Sequence, residues 1–289
     1  MYPQLKYRDF NPERLVRCPV EQKQTKPKDG TSPLIYYEIP ISYRYPQTDI
    51  NGKTSDIIAP LLVESPILTS PEGITFKHNG NNITTSLPTT FDIRDPDVLN
   101  FIKLRDIDSD GKSIIGSGGF FEELYQTCLD RVSENSGNIP TLSRYPDLTT
   151  IFTSPISWYR NPSNGQIENN RNPKKYIPLV NYGEEGRPGY RITQFQSPIK
   201  TGKGEFFVHD WKTLSGVEIK YRGLLRIKKI YIGAKISIQV ELESALVIST
   251  TPVNNCPKQI DTLKNAEKND EIRCKIESQL KTLNLIQTI

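Results

Sequence analysis

The sequence is short of the residue types on which much side-chain chemistry depends. Its 289 residues include two histidines, one methionine, two tryptophans and four cysteines. Cys18, Cys128, Cys256 and Cys274 form no CxxC pair and show no metal-ligand spacing, so they read as reduced structural thiols, not as a metal framework. No stretch approaches the roughly 18 apolar residues of a membrane span, and the mean hydropathy is −0.52. The opening MYPQLKYRDF lacks the apolar core of a signal peptide, so secretion is not expected and the triplet Asn82-Ile83-Thr84 carries little weight as a glycosylation signal. His209-Asp210 has neither a GxSxG elbow nor a paired cysteine to complete a hydrolytic set. The chain therefore reads as a protein that is not an enzyme and uses no cofactor.

Two short motifs fail on inspection. Asp106-Ile107-Asp108-Ser109-Asp110-Gly111 opens like a calcium loop, but Ser117 stands where the bidentate glutamate belongs. A polar turn between helices is the preferred reading, and a metal-dependent nuclease built on Asp106, Asp108 and Asp110 ranks third among the functional classes. Gly111-Lys112-Ser113 ends like a phosphate loop, yet Asp106 occupies the place of its first glycine, and an acid there repels phosphate.

Charge and aromatic rings are plentiful. The formal net charge is only +4, but it is unevenly spread. Residues 46–157 carry eight basic and fifteen acidic side chains, whereas residues 158–235 carry fifteen basic and six acidic ones. The basic segment also holds eleven of the aromatic residues.

Periodicity divides the chain into an irregular, proline-broken N-terminal arm (1–33), a β-rich domain (34–250) and a C-terminal amphipathic helix or tail (251–289). Ile35, Tyr37, Ile39, Ile41, Tyr43 and Tyr45 alternate as one buried strand face, with Pro40 placing that strand towards a sheet edge. Shorter strands are expected at Ala59–Glu64, Gly73–Lys77, Asn82–Leu87 and Thr149–Arg160. Alternation is cleanest at Val217–Ile227 and Ile230–Leu242, and its phase flips at Lys228-Lys229, which predicts a bulge or turn there. A helical insertion at about 95–135 holds two helices. The first starts at Asp95-Pro96-Asp97, an acid cap followed by proline at the first helical position. The second carries Phe121, Leu124, Tyr125, Cys128, Leu129 and Val132 at helical spacing.

In the basic segment cations sit beside rings: Trp158-Tyr159-Arg160, Lys174-Lys175-Tyr176, Trp211-Lys212, Lys220-Tyr221-Arg222 and Arg226-Ile227-Lys228-Lys229. Single-stranded nucleic acid needs this combination, because cations track phosphates and ring faces stack on bases without reading them. Trp158, Tyr159, Tyr176 and Trp211 are the candidates for stacking. Arg160, Lys174, Lys175, Lys220, Arg222, Lys228 and Lys229 are the candidates for phosphate contact. Tyr221 shares its strand face with Val217 and Ile219 and is assigned to the core instead.

Three stretches carry a family resemblance. They are Leu61–Pro66 running into Pro71-Glu72-Gly73-Ile74, then Trp158-Tyr159-Arg160 ahead of Asn172-Pro173 and Tyr182-Gly183, and Ile230–Gly233 with Lys235–Gln239. Over roughly residues 34–250 the chain resembles the single-stranded-DNA-binding proteins of nucleocytoplasmic large DNA viruses, relatives of the OB-fold binding proteins of podoviruses. The resemblance implies a mainly β, OB-fold-like barrel with two inserted central helices and a C-terminal helix. It also implies binding of single-stranded DNA without base preference in viral replication or repair, in a viral factory of the host cytoplasm or in the virion. One departure concerns partners. Those relatives end in an acidic tail, whereas residues 258–289 here are charge-mixed, so self-association or contact with virion or replication proteins through the C-terminal helix replaces tail docking. The alternative is a structural virion protein, a minor capsid component built on a β-sandwich.

Overall fold

The computed structural model describes residues 2–25, 32–79, 82–103, 119–159, 162–163, 168, 170–182, 191–200 and 206–253. The Asp106–Asp110 motif, Gly111-Lys112-Ser113, Arg160 and the expected C-terminal helix lie outside the described residues.

The described chain is mainly β, with two α-helices. The first strands are β1 (Leu5–Lys6), β2 (Glu21–Gln24), β3 (Ile35–Pro40), β4 (Ser42–Thr48), β5 (Thr54–Ser70), β6 (Thr75–Asn79) and β7 (Asn82–Thr90). The helices α1 (Pro96–Ile102) and α2 (Phe120–Glu134) follow. The chain continues through β8 (Lys174–Pro178), β9 (Asn181–Tyr182), β10 (Arg191–Ile192), β11 (Gln194–Lys200), β12 (Phe206–His209), β13 (Val217–Ile232) and β14 (Ile236–Pro252). Twelve strands join one sheet with the path β12-β11-β14-β13-β5-β7-β6, while β9 and β10 pair separately. From this path β8 branches off β7, β4 and β1 off β5, and β3 off β13 with β2 beyond it.

The expected barrel is not closed. The long strands β5 and β13 change partners along their length, which spreads the sheet into branches instead of returning its ends to each other. One parallel bridge, Leu179 to Leu242, links the residue after β8 to β14.

Alternation fixes the inner face. Val217, Ile219, Tyr221, Leu225 and Ile227 of β13 are buried, and the burial phase moves to Ile230 and Ile232 after Lys228-Lys229. The strand itself runs on without a turn. The phase changes where β13 leaves β5, at Ile227 opposite Leu61, for β3, at Lys229 opposite Pro40. A register shift also lies between Arg222 opposite Ile67 and Leu224 opposite Glu64. It sets Ser65 and Pro66 against Gly223, so Pro66, which has no N–H to give the ladder, sits in the bulge. The Gly223 N–H donates to Ser65 Oγ at 2.9 Å. A Cβ at Gly223 would stand 2.9 Å from Leu242 Cδ1 and 3.1 Å from Tyr221 Cε2.

Two other expectations need correction. Pro40 ends β3 instead of marking a sheet edge, because β3 is paired on both sides, by β2 and β13. Residues 149–159 form no strand: a 3-10 turn covers Leu148–Thr150, and only isolated bridges follow, Phe152 to Ile236 and Ser157 to Lys174. Pro155 interrupts the ladder there.

The helices cover the inner face through rings. Asp95 caps α1 by accepting from the N–H groups of Asp97 and Val98. Phe101 of α1 stacks on Phe120 of α2 at 5.6 Å, and Phe10 meets Phe120 edge-on at 5.0 Å and lies over Tyr43 at 5.9 Å. Phe10 and Leu15 of the N-terminal arm are buried. The arm is held by Arg131 of α2, whose guanidinium donates to the carbonyls of Val16 and Leu15 at 2.6 and 2.7 Å.

Candidate nucleic-acid interface

The outer face of the sheet is assembled by register. Lys220 lies opposite Thr69, Thr69 opposite Thr90, and Thr90 opposite Lys174. Directly opposed residues share a face, so this row crosses β13, β5, β7 and β8 with a lysine at each end and two threonines between. Strands lie about 4.8 Å apart, so the two lysine backbones stand roughly 14 Å apart along the row. Neighbouring rows place Pro88 opposite Tyr176, Thr75 and Pro178 on either side of Ser86, and Lys77 opposite Thr84. Thr75 and Ser86 pair their hydroxyls at 3.2 Å. Tyr176 is 65% exposed, the most exposed ring among the sequence-selected residues. Tyr159 is half-buried beside β8, with the Arg171 guanidinium 5.1 Å and the Lys174 ammonium 6.0 Å from its ring centre.

Other selected residues are placed differently. Lys175 points to the opposite side of β8 from Lys174 and Tyr176, where its ammonium donates to the Pro155 carbonyl at 2.6 Å. Burial lowers its pKa to about 8. Trp158 and Trp211 are partly buried against the core, Trp211 with Phe76 at 5.7 Å. Tyr221 is fully buried, its hydroxyl 2.6 Å from that of Thr89, and burial raises its pKa.

The remaining cations are matched by carboxylates. Arg222 meets Glu64 at 3.3 Å and Lys228 meets Glu241 at 2.6 Å. Lys229 pairs with Glu38, and Glu243 is shared by Arg191 and by Arg226, the latter at 3.9 Å. This half of the outer face is a ladder of alternating charge with little field left for a phosphate. The four glutamates come from β3, β5 and β14, outside or at the margins of the basic segment, so counting charge along the chain could not reveal them.

Sequence reasoning missed Lys77, Thr69, Thr90 and Arg171. The alternating hydroxyls Thr84, Ser86 and Thr90, with only Pro88 between them, were the readable signal, because a strand with such a face is polar outside. The chain matches no known protein-family model, and no curated protein matches it.

Proposed function

We propose that this protein binds single-stranded DNA without reading its bases, on the outer face of β7 and β8 and onto β5 and β13. The observation that carries the reading is the row Lys220–Thr69–Thr90–Lys174 with the exposed Tyr176 beside it. Lysines at both ends of a hydroxyl-lined row engage the backbone electrostatically, and Tyr176 and Tyr159 offer ring faces to bases. Arg222, Lys228 and Lys229 drop out of the phosphate-binding set because each has a carboxylate partner.

Strand order supports an OB-type reading of the same region. β13, β5, β7 and β8 lie side by side in that order, which is the order of a Greek key when β5 is its first strand. The fifth strand, β14, lies beside β13 and reaches the end of β8 through Leu179. In partly open five-stranded barrels of this kind, the face of the second and third strands carries oligonucleotides. Here those strands are β7 and β8, which carry Thr90, Lys174 and Tyr176. Titration of labelled oligo(dT) at several salt concentrations tests the proposal. Salt-sensitive binding lost in Lys174→Glu and kept in Lys228→Gln supports it; no micromolar binding at low salt refutes it.

A structural role in a virion is the second reading. It draws on the β4–β5 hairpin, whose residues 46–58 are exposed on both faces.

A further inference from the structure

Lys175 stands on β8 between Lys174 and Tyr176, but its side chain goes to the opposite side of the sheet. There its ammonium donates to the Pro155 carbonyl at 2.6 Å. Pro155 is buried and opens the segment 155–159, which runs beside β8 and carries Tyr159.

That segment is held to β8 at few points. Ser157 and Lys174 exchange both backbone hydrogen bonds, each at 2.9 Å. Continued, this register would set Pro155 opposite Tyr176, where a proline has no N–H to give. The ladder stops after one pair, and the Pro155 carbonyl takes its donor from the Lys175 side chain. Beyond the pair, the Glu168 N–H donates to the Tyr159 carbonyl at 2.9 Å. Glu168 also meets Arg171 at 3.3 Å, and the Arg171 guanidinium lies 5.1 Å from the Tyr159 ring centre. The segment thus delivers its ring to the outer side, 6.0 Å from the Lys174 ammonium. One lysine of β8 faces outward beside that ring, and the next secures the segment that brings it there.

A lysine at this place is costly for folding alone. Opposite it on β7 is Thr89, whose hydroxyl is 2.6 Å from that of Tyr221. Burial raises the Tyr221 pKa, so that phenol stays neutral and offers no counter-charge. Burial is also what lowers the Lys175 pKa to about 8, with no carboxylate paired to it among the described residues. An apolar side chain would fill the inner face without that desolvation. What the ammonium adds is grip, because a charge-assisted hydrogen bond is roughly twice as strong as a neutral one.

We propose that Lys175 is a positioning residue of the nucleic-acid interface, clamping segment 155–159 from the inner side of β8 and so setting the Tyr159 ring beside Lys174. The inference rests on the nucleic-acid reading above and concerns how that site is held. Titration of labelled oligo(dT) at low salt tests it. Lys175→Met is expected to weaken binding by about fivefold, the lower end of what one stacked base contributes, and Tyr159→Ala by about as much. The double variant is expected to bind no more weakly than Tyr159→Ala, because both changes remove one contact, whereas the effects of Lys175→Met and Tyr176→Ala are expected to multiply. Wild-type affinity is expected to fall by about twofold between pH 7 and pH 9, as the clamp passes its pKa of about 8 and loses its charge. Tyr159→Ala keeps Lys175 and is expected to lose that pH dependence. Absence of wild-type binding at low salt removes the nucleic-acid reading itself. Wild-type binding that is flat with pH, unchanged in Lys175→Met, or reduced by Lys175→Met in full on top of Tyr159→Ala overturns the positioning role and leaves that reading standing.

Discussion

Lys220 and Lys174 stand on one cross-strand row, 46 residues apart in sequence and separated in space by Thr69 and Thr90. No carboxylate is paired with either among the described residues, in contrast to Lys228, which is committed to Glu241 at 2.6 Å. That contrast predicts a difference in salt dependence. Each phosphate contact on a single strand contributes about 0.7 to the slope of log K against log salt. Lys174→Ala and Lys220→Ala are each expected to flatten the slope by about that amount, and Lys228→Ala to leave it unchanged. Equal slopes for all three variants in fluorescence titrations with oligo(dT) would remove the row as the binding surface.

In the proposed interface Tyr176 contributes a ring face and no charge. Stacking on one base is worth about 1–3 kcal/mol, so Tyr176→Ala is expected to cost affinity at every salt concentration while the slope stays as in wild type. Tyr176→Phe keeps the ring face and is expected to bind normally. A loss in the phenylalanine variant equal to that in alanine would show that the hydroxyl, not the ring, makes the contact.

Much of the fold was legible from the sequence because its strands alternate strictly. In Val217–Ile227 and Ile236–Leu242 each buried residue follows from period two, and Tyr221 went to the core on that ground alone. Asp95-Pro96 marked the start of α1 because the acid cap accepts from two orphan N–H groups, those of Asp97 and Val98, and proline at the first helical position has no N–H to leave unpaired. Partner exchange was not legible. The flip at Lys228-Lys229 was visible as a pattern, but that β13 there passes from β5 to β3 is a long-range fact. The same limit governed the interface. Lys228 and Lys229 look like free cations in a linear count, and only register brings Glu241 and Glu38 beside them. The row through Thr69 and Thr90 joins four strands, and no segment of the chain contains it.

Arg131 ties the N-terminal arm to α2 with two short bonds, to the carbonyls of Val16 and Leu15. A planar guanidinium serves both acceptors at once, which an ammonium cannot do with the same geometry. Arg131→Lys and Arg131→Ala are therefore expected to destabilise the fold, the alanine by about 2–4 kcal/mol because two partly buried carbonyls lose charged donors. The arm is expected to come loose before the body unfolds, so limited proteolysis should cut near residues 8–17 in both variants while wild type resists. Unchanged cleavage at those sites would mean that Phe10 and Leu15, buried among Tyr43 and Phe120, hold the arm without Arg131.

Lys175 gives stability a pH dependence in the alkaline range. Its ammonium is buried against the Pro155 carbonyl, and burial lowers its pKa to about 8, whereas the unfolded chain holds a lysine proton up to about 10.4. Between these values the unfolded state binds more protons than the folded one. Stability contributed by this group therefore rises with pH across that window, and the cost of burying the charge is fully present below pH 8. Lys175→Met removes the titration while keeping a similar apolar stem. Its stability relative to wild type is expected to be highest near pH 7 and to fall steadily between pH 8 and 10, in urea melts followed by circular dichroism. A difference between the two proteins that does not change over that interval would show that Lys175 keeps an ordinary lysine pKa in the folded chain.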